Sequence, residues 1–141
     1  MRCEVWNQMK RVLCAVLLVA LFILPGLGLT EGDDTIQLAR TIYTLGRDES
    51  YETKLMIGTV VMNRVENPWY PDTVREVLGQ PHQFAHGTLY DDQSLQAARE
   101  VMMGRRELPA GVVELRTVET GDLSSDEKLY IISGRYGFYT K

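Results

Sequence analysis

Carboxylates gathered where two apolar segments meet are the residues of this chain best placed to do chemistry. Asp48, Glu49 and Glu52 cluster in Arg47-Asp48-Glu49-Ser50-Tyr51-Glu52, which opens on three consecutive charged residues. A carboxyl group held in a partly apolar wall keeps its proton near neutral pH, and cleavage of a glycosidic bond needs at least one such acid. The same three acids could equally do no more than cap the following helix and solvate the bend. Other chemistries lack their parts. His82 and His86 stand four residues apart, but prolines and glycines flank them, so they read as solvated loop histidines. The chain contains no G-x-S-x-G turn, no Cys/His pair in the region beyond its first 30 residues and no phosphate-cradling glycine loop. No metal and no cofactor is expected.

Two helices must hold that bend. Thr35 offers an N-cap hydroxyl, and Ile36, Ala39, Ile42 and Tyr43 follow at helical spacing to about Leu45. Gly46 can end this helix in a left-handed conformation. Ser50 caps the next one, in which Tyr51, Leu55, Gly58, Val61, Met62 and Val65 form a broad apolar stripe; with Ile57 and Val60 added, this helix is buried on most sides. Asn67-Pro68 stops it. Asn63-Arg64 at its end ties the helix to the loop that follows, and Trp69 and Tyr70 on that loop are either an exposed sugar platform or a lid on the core. Thr73 and Glu76 have capping-box spacing for a short third helix. A fourth starts at Asp92, buries Leu95, Ala98, Val101 and Met102, and ends at Gly104, with Met102-Met103 read as packing. Past Pro109 come β-type runs at Val112–Leu115, Leu129–Ile132 and Tyr136–Thr140, with Gly121–Lys128 as a polar hairpin connection. The fold class is α+β: about four helices followed by a small antiparallel sheet.

The chain has 141 residues and a formal net charge of −4. Arg2, Lys10 and Arg11 against Glu4 leave the first 30 residues at +2 and the remainder at −6. An acidic domain without a basic stripe argues against nucleic acid as a partner. Basic residues ahead of the apolar run Val12–Leu24, with Pro25 and glycines behind it, make residues 1–30 a signal peptide or an N-terminal membrane anchor. Membrane contact is then expected only through residues 12–29, if they are not removed. Both cysteines, Cys3 and Cys14, fall in this leader, so the domain at 35–141 has neither disulfide nor thiolate chemistry. It is expected outside the cytoplasmic membrane, secreted or attached to the envelope.

From Ile36 to Lys141 the sequence resembles the SleB-type cell wall hydrolase domain of spore cortex-lytic enzymes. That family's signature, close to I-Y-G-E-A-R-G-E-x-Y-E-G and then V-x-N-R-V, is matched by Ile42-Tyr43-Thr44-Leu45-Gly46-Arg47-Asp48-Glu49-Ser50-Tyr51-Glu52 and Val61-Met62-Asn63-Arg64-Val65. Its next block appears as Pro71, Thr73, Val77, Gln80, Gln83 and Phe84, its Ser-Leu-x-Ala-Ala helix as Ser94–Ala98, and its closing strand as Gly134–Tyr139.

The resemblance implies a lysozyme-like cleft holding peptidoglycan glycan strands, cleaved in the lytic transglycosylase manner. There, one glutamic acid protonates the leaving oxygen and then, as carboxylate, helps the sugar's own 6-hydroxyl close an anhydro ring. It also implies substrate contacts at Tyr51, Gln83 and Phe84, with Phe84 either stacking on a sugar or plugging the core. The chain departs from the family at one decisive place. The first signature glutamate, the presumed general acid, is Leu45; the second is kept as Glu49, the remaining catalytic candidate. The closing histidine is also absent, with Arg135 or Tyr136 nearby. Whether the domain is an enzyme is therefore open: a hydrolase working through Glu49, or a catalytically silent peptidoglycan-binding envelope protein. An envelope protein whose partner is another protein is the third reading.

Overall fold

Hydrophobic periodicity and capping chemistry produce the elements in order. The computed structural model describes residues 32–118 and 127–141. The leader, residues 1–30, lies outside the described residues, as does most of the polar connection before Lys128. Helix α1 spans Asp33–Gly46, α2 Tyr51–Val65, α3 Val74–Leu78 and α4 Asp92–Met102; strands β1 (Val112–Thr117), β2 (Lys128–Ser133) and β3 (Tyr136–Thr140) follow. This is the α+β architecture expected.

Two caps, Ser50 and Thr73, lie where the sequence put them, and the fourth helix starts at Asp92 as expected, capped by the residue before it. Ser50 accepts a hydrogen bond from the Thr53 amide, Thr73 from the Glu76 amide, and Asp91 from the Ser94 amide. Thr73 also donates to the Glu76 carboxylate, closing the capping box. Helix α1 differs at both ends. Its N-cap is Gly32 with no side-chain bond, and Thr35 is buried inside the first turn, because the helix starts three residues earlier than its apolar stripe. Gly46 does not end α1 in a left-handed turn; the helix runs through it into a right-handed Arg47. The glycine is needed for space, since a Cβ there would stand 2.9 Å from Ile57 Cδ1 of α2.

Helix α2 runs through the middle. It contacts α1, α3, α4 and β1, and buries nine consecutive residues from Thr53 to Val61, then Asn63 and Arg64. Leu38, Ala39 and Ile42 of α1, Ala97, Ala98 and Val101 of α4, and Val112 and Phe138 of the sheet close around it. Met102 packs against this core, whereas Met103 is exposed.

The sheet is antiparallel with strand order β1-β3-β2. The order corrects one expectation: the connection between β1 and β2 is not a hairpin, because both strands pair with β3. The hairpin is β2–β3, turned by Gly134-Arg135 between the paired Ser133 and Tyr136. Gly134 has φ +57, the left-handed region that a two-residue turn requires at its first position. Being central, β3 is buried along Tyr136–Tyr139, while the edge strand β2 is exposed from Lys128 to Ile132.

Candidate functional site at the bend between the first two helices

The last carbonyls of a helix have no partner within it. At the end of α1 the Leu45 carbonyl is taken up by the β2–β3 turn: Arg135 Nη2 donates to it at 2.6 Å and the Tyr136 hydroxyl at 2.8 Å. A guanidinium is also the favoured charge at a helix C-terminus. Glu49 is drawn to the same turn. Its Oε1 lies 3.4 Å from Arg135 Nε, its side chain is 11% exposed, and its carboxylate rests against Gly134. Thr53 and Ser133 share a 2.6 Å hydroxyl hydrogen bond. From below, the buried Lys54 donates to the Glu49 carbonyl at 3.4 Å and to Gln93 Oε1 at 3.0 Å. The bend is thus clamped by α2, α4 and the hairpin turn.

That clamp yields a sharp expectation. A Cβ at Gly134 would overlap the Glu49 carboxylate, on a backbone conformation side chains rarely adopt. Gly134→Ala should therefore cost more than the ~1–2 kcal/mol of a left-handed alanine alone. In Glu49→Ala/Gly134→Ala the overlap is gone and only the backbone cost should remain. Urea denaturation of the four proteins of this cycle measures the coupling; strictly additive effects would show that Glu49 does not rest on Gly134.

The acids of the bend separate. Asp48 is exposed, paired with Arg47 at 3.2 Å, and lines a cavity of about 330 Å³ with Tyr43, Thr44, Arg47, Leu89 and Arg135. Glu49 lies behind that wall, turned to the hairpin. Leu45 is half-buried, its side chain packed against the core. Sequence reasoning chose Glu49 over Asp48 by family position, and nothing in residue type or spacing could show which one faces the cavity.

A second cavity, about 320 Å³, continues along α1 and is lined by Gln37, Arg40, Thr41, Arg75 and His86. Gly87 belongs to both cavities and packs on Thr44 of α1. Gln37, Arg40, Thr41 and Thr44 recur at helical spacing, so one face of α1 floors both cavities as one groove, with Asp48 just beyond the helix end.

The other predicted site residues stand apart from it. Tyr51 donates a hydrogen bond to Glu100 Oε1 at 3.0 Å, joining α2 to α4; burial, then that hydrogen bond, push its phenol up to about 12. Gln83 accepts from Arg64 Nη1 at 3.0 Å and lines a third cavity, about 390 Å³, with Tyr70, Gln80 and Glu114. Phe84 is 6% exposed and lies in the core under the Arg64 guanidinium, 4.9 Å from its ring centre. Trp69 is 90% exposed, while the Tyr70 ring is covered by Arg64 at 5.0 Å. The structure therefore gathers Tyr70, Gln83 and Phe84 around Arg64, and does not bring them to Glu49. Among the described residues no three His, Cys, Asp or Glu side chains cluster as metal ligands would.

Comparison with known proteins fits this architecture. The profile of a family described as Cell Wall Hydrolase matches residues 48–114, opening three residues after Leu45. A spore cortex-lytic enzyme of Bacillus subtilis (strain 168) is 34% identical over 83 residues, covering 57% of this chain and 26% of that protein. One of Halalkalibacterium halodurans is 34% identical over 74 residues, covering 50% of this chain and 22% of that protein. These matches span about a quarter of the length of those curated relatives. The catalytic domain of Bacillus cereus SleB superposes with a TM-score of 0.66 at 18% identity, over 76% of this chain and 89% of that one. The catalytic domain of a germination-specific lytic transglycosylase, SleB of Bacillus anthracis, gives 0.68 at 18% identity, over 82% and 99%. In fold, in matched family profile and in curated relatives alike, the chain carries a SleB-type cell wall hydrolase domain.

Proposed function

We propose that the domain is exported and engages peptidoglycan glycan strands along the α1 groove, with lytic transglycosylase-type cleavage reduced or lost. The substrate class is supported by relatives named as cell wall hydrolases and spore cortex-lytic enzymes. Export rests on the basic and apolar pattern of residues 1–30. The observation that carries the loss of cleavage is the bend itself. Position 45 holds a leucine, which has no proton to give, and Glu49 is committed to Arg135 and the face of Gly134. General acid catalysis contributes ~10²–10⁴-fold, so a domain without a free acid keeps its groove but little of its rate. The second reading, a hydrolase acting through Glu49, has in its favour that Glu49 occupies the family's second signature glutamate.

The test uses purified peptidoglycan. The full-length protein should sediment with it and should release no anhydro or reducing ends above a heat-killed control. Residues 1–34 fused to a reporter that works only outside the cytoplasm should give signal. Copious end release reverses the assignment to the hydrolase, and failure to sediment together with a cytoplasmic reporter signal removes the whole reading.

A further inference from the structure

The second cavity of the groove contains a cation, Arg40, with no partner among the described residues. Arg40 is half-buried, its Nε is shielded from water without a hydrogen-bond partner, and it lines the 320 Å³ cavity beside Arg75 and His86. Among the described residues no hydrogen bond or ion pair engages its guanidinium, whereas Arg64, the most buried arginine, donates to four protein groups. The nearby negative charge is already taken: Asp33 receives Arg75 as an ion pair and the Gln37 amide at 2.9 Å. A buried donor left unpaired is costly, and native structures seldom keep one without a use. A planar fork of donors fits a carboxylate better than any other common anion partner except phosphate.

The geometry points to a carboxylate-binding subsite at Arg40, about two helical turns along α1 from Arg47 and Asp48. Resting on the peptidoglycan reading, the ligand is a free carboxylate of the short peptides that branch from the glycan. The glycan would lie in the cavity at Asp48 and Arg135, and a peptide branch would reach past Gly87 to Arg40. Gly87 leaves the floor low at the junction, since it packs directly on Thr44. Arg75 adds positive field at the outer end without competing for the ligand, because its own fork is turned to Asp33.

Binding of the full-length protein and of Arg40→Gln and Arg40→Lys separates the possibilities. Three probes serve: soluble peptidoglycan fragments with peptides, the same glycan stripped of peptides by an amidase, and an N-acetylated D-alanyl-D-alanine peptide alone. Peptide-bearing fragments should bind about tenfold tighter than stripped glycan, as expected for one charge-assisted pair. Arg40→Gln should abolish that difference, and Arg40→Lys should restore part of it. Both variants should melt with the natural protein, because Arg40 has no partner to lose among the described residues. Equal binding of both fragments by the natural protein overturns the subsite and leaves the glycan reading standing. If neither fragment binds, the glycan reading fails, and the peptide alone decides the subsite. Saturable binding lost in Arg40→Gln upholds it; no binding overturns it.

Discussion

Arg64→Met should destabilise the domain by about 3–5 kcal/mol, the usual loss when one partner of a buried ion pair is removed. Arg64 is 2% exposed, near the end of α2, and its side chain is a hub. Its Nε donates to the Val113 carbonyl at 2.7 Å, Nη1 to Gln80 and Gln83, and Nη2 to Glu114 at 2.9 Å. The rings of Tyr70 and Phe84 lie 5.0 and 4.9 Å from it. Methionine would keep much of the volume, but would leave Glu114, 13% exposed, without its cation. Asn63 beside it makes the same kind of junction, donating to the Pro109 and Val112 carbonyls at 2.8 and 2.9 Å. Together they fasten α2 to β1 and to the 80–84 loop.

At ~4 °C or more per kcal/mol for a domain of this size, the melting temperature should fall by at least about 12 °C. Arg64→Lys should recover little, because a point charge on a flexible stem cannot serve four acceptors and two rings at once. Adding Glu114→Gln to Arg64→Met should return part of the loss, since the stranded charge goes with it. Thermal and urea melts check all three. A loss below 1 kcal/mol for Arg64→Met would remove Arg64 as the hub. Phe84, packed beneath it, should then report on the core alone.

Local signals in the sequence were enough for the helices. Ser50 and Thr73 mark two starts through side-chain chemistry that acts within four residues, and the fourth helix begins at Asp92 where the sequence places it, with Asp91 supplying the cap. The end of α1 was not legible for the opposite reason. Gly46 was read by its backbone freedom, yet what fixes it is the approach of Ile57 from another helix, which no local pattern encodes. Strand order escaped for the same cause: β-type runs identify strands but not neighbours, and β3 enters between β1 and β2. The site shows this contrast most plainly. Resemblance directed attention to the bend, and the structure clamps that bend from three sides. Spacing alone could not show that Glu49 turns inward to Arg135 while Asp48 faces the cavity, or that Gln83 and Phe84 serve Arg64. Arg40 was legible only as one more polar residue on a helix. Its lack of a partner is a property of the packed molecule.

Leu45→Glu should create peptidoglycan cleavage, or raise it by ~10²–10⁴-fold, the range that general acid catalysis contributes. The position is the one where family and chain disagree most, and its surroundings suit an acid. Leu45 is half-buried against apolar neighbours, so a carboxyl introduced there loses part of its hydration, which favours the protonated form a donor needs. Its backbone is already fixed, because Arg135 and Tyr136 hold the Leu45 carbonyl. Glu49 is poorly placed to take over: the same Arg135 engages it, and releasing it would open the contact with Gly134. Glu49 nonetheless occupies the family's second signature glutamate, so Glu49→Gln should abolish whatever cleavage the natural chain retains, and it should loosen the hairpin turn. Glycan-release assays on the natural, Leu45→Glu and Glu49→Gln proteins, with melts beside them, separate catalysis from folding. A stable Leu45→Glu protein that releases no ends would show that position 45 does not meet the scissile bond. A large fall in its melting temperature would assign Leu45 to the core, since an unpaired buried carboxylate is costly. A natural protein that cleaves well, and continues to do so after Glu49→Gln, would place the chemistry elsewhere in the groove, with Asp48 on its wall as the next residue to change.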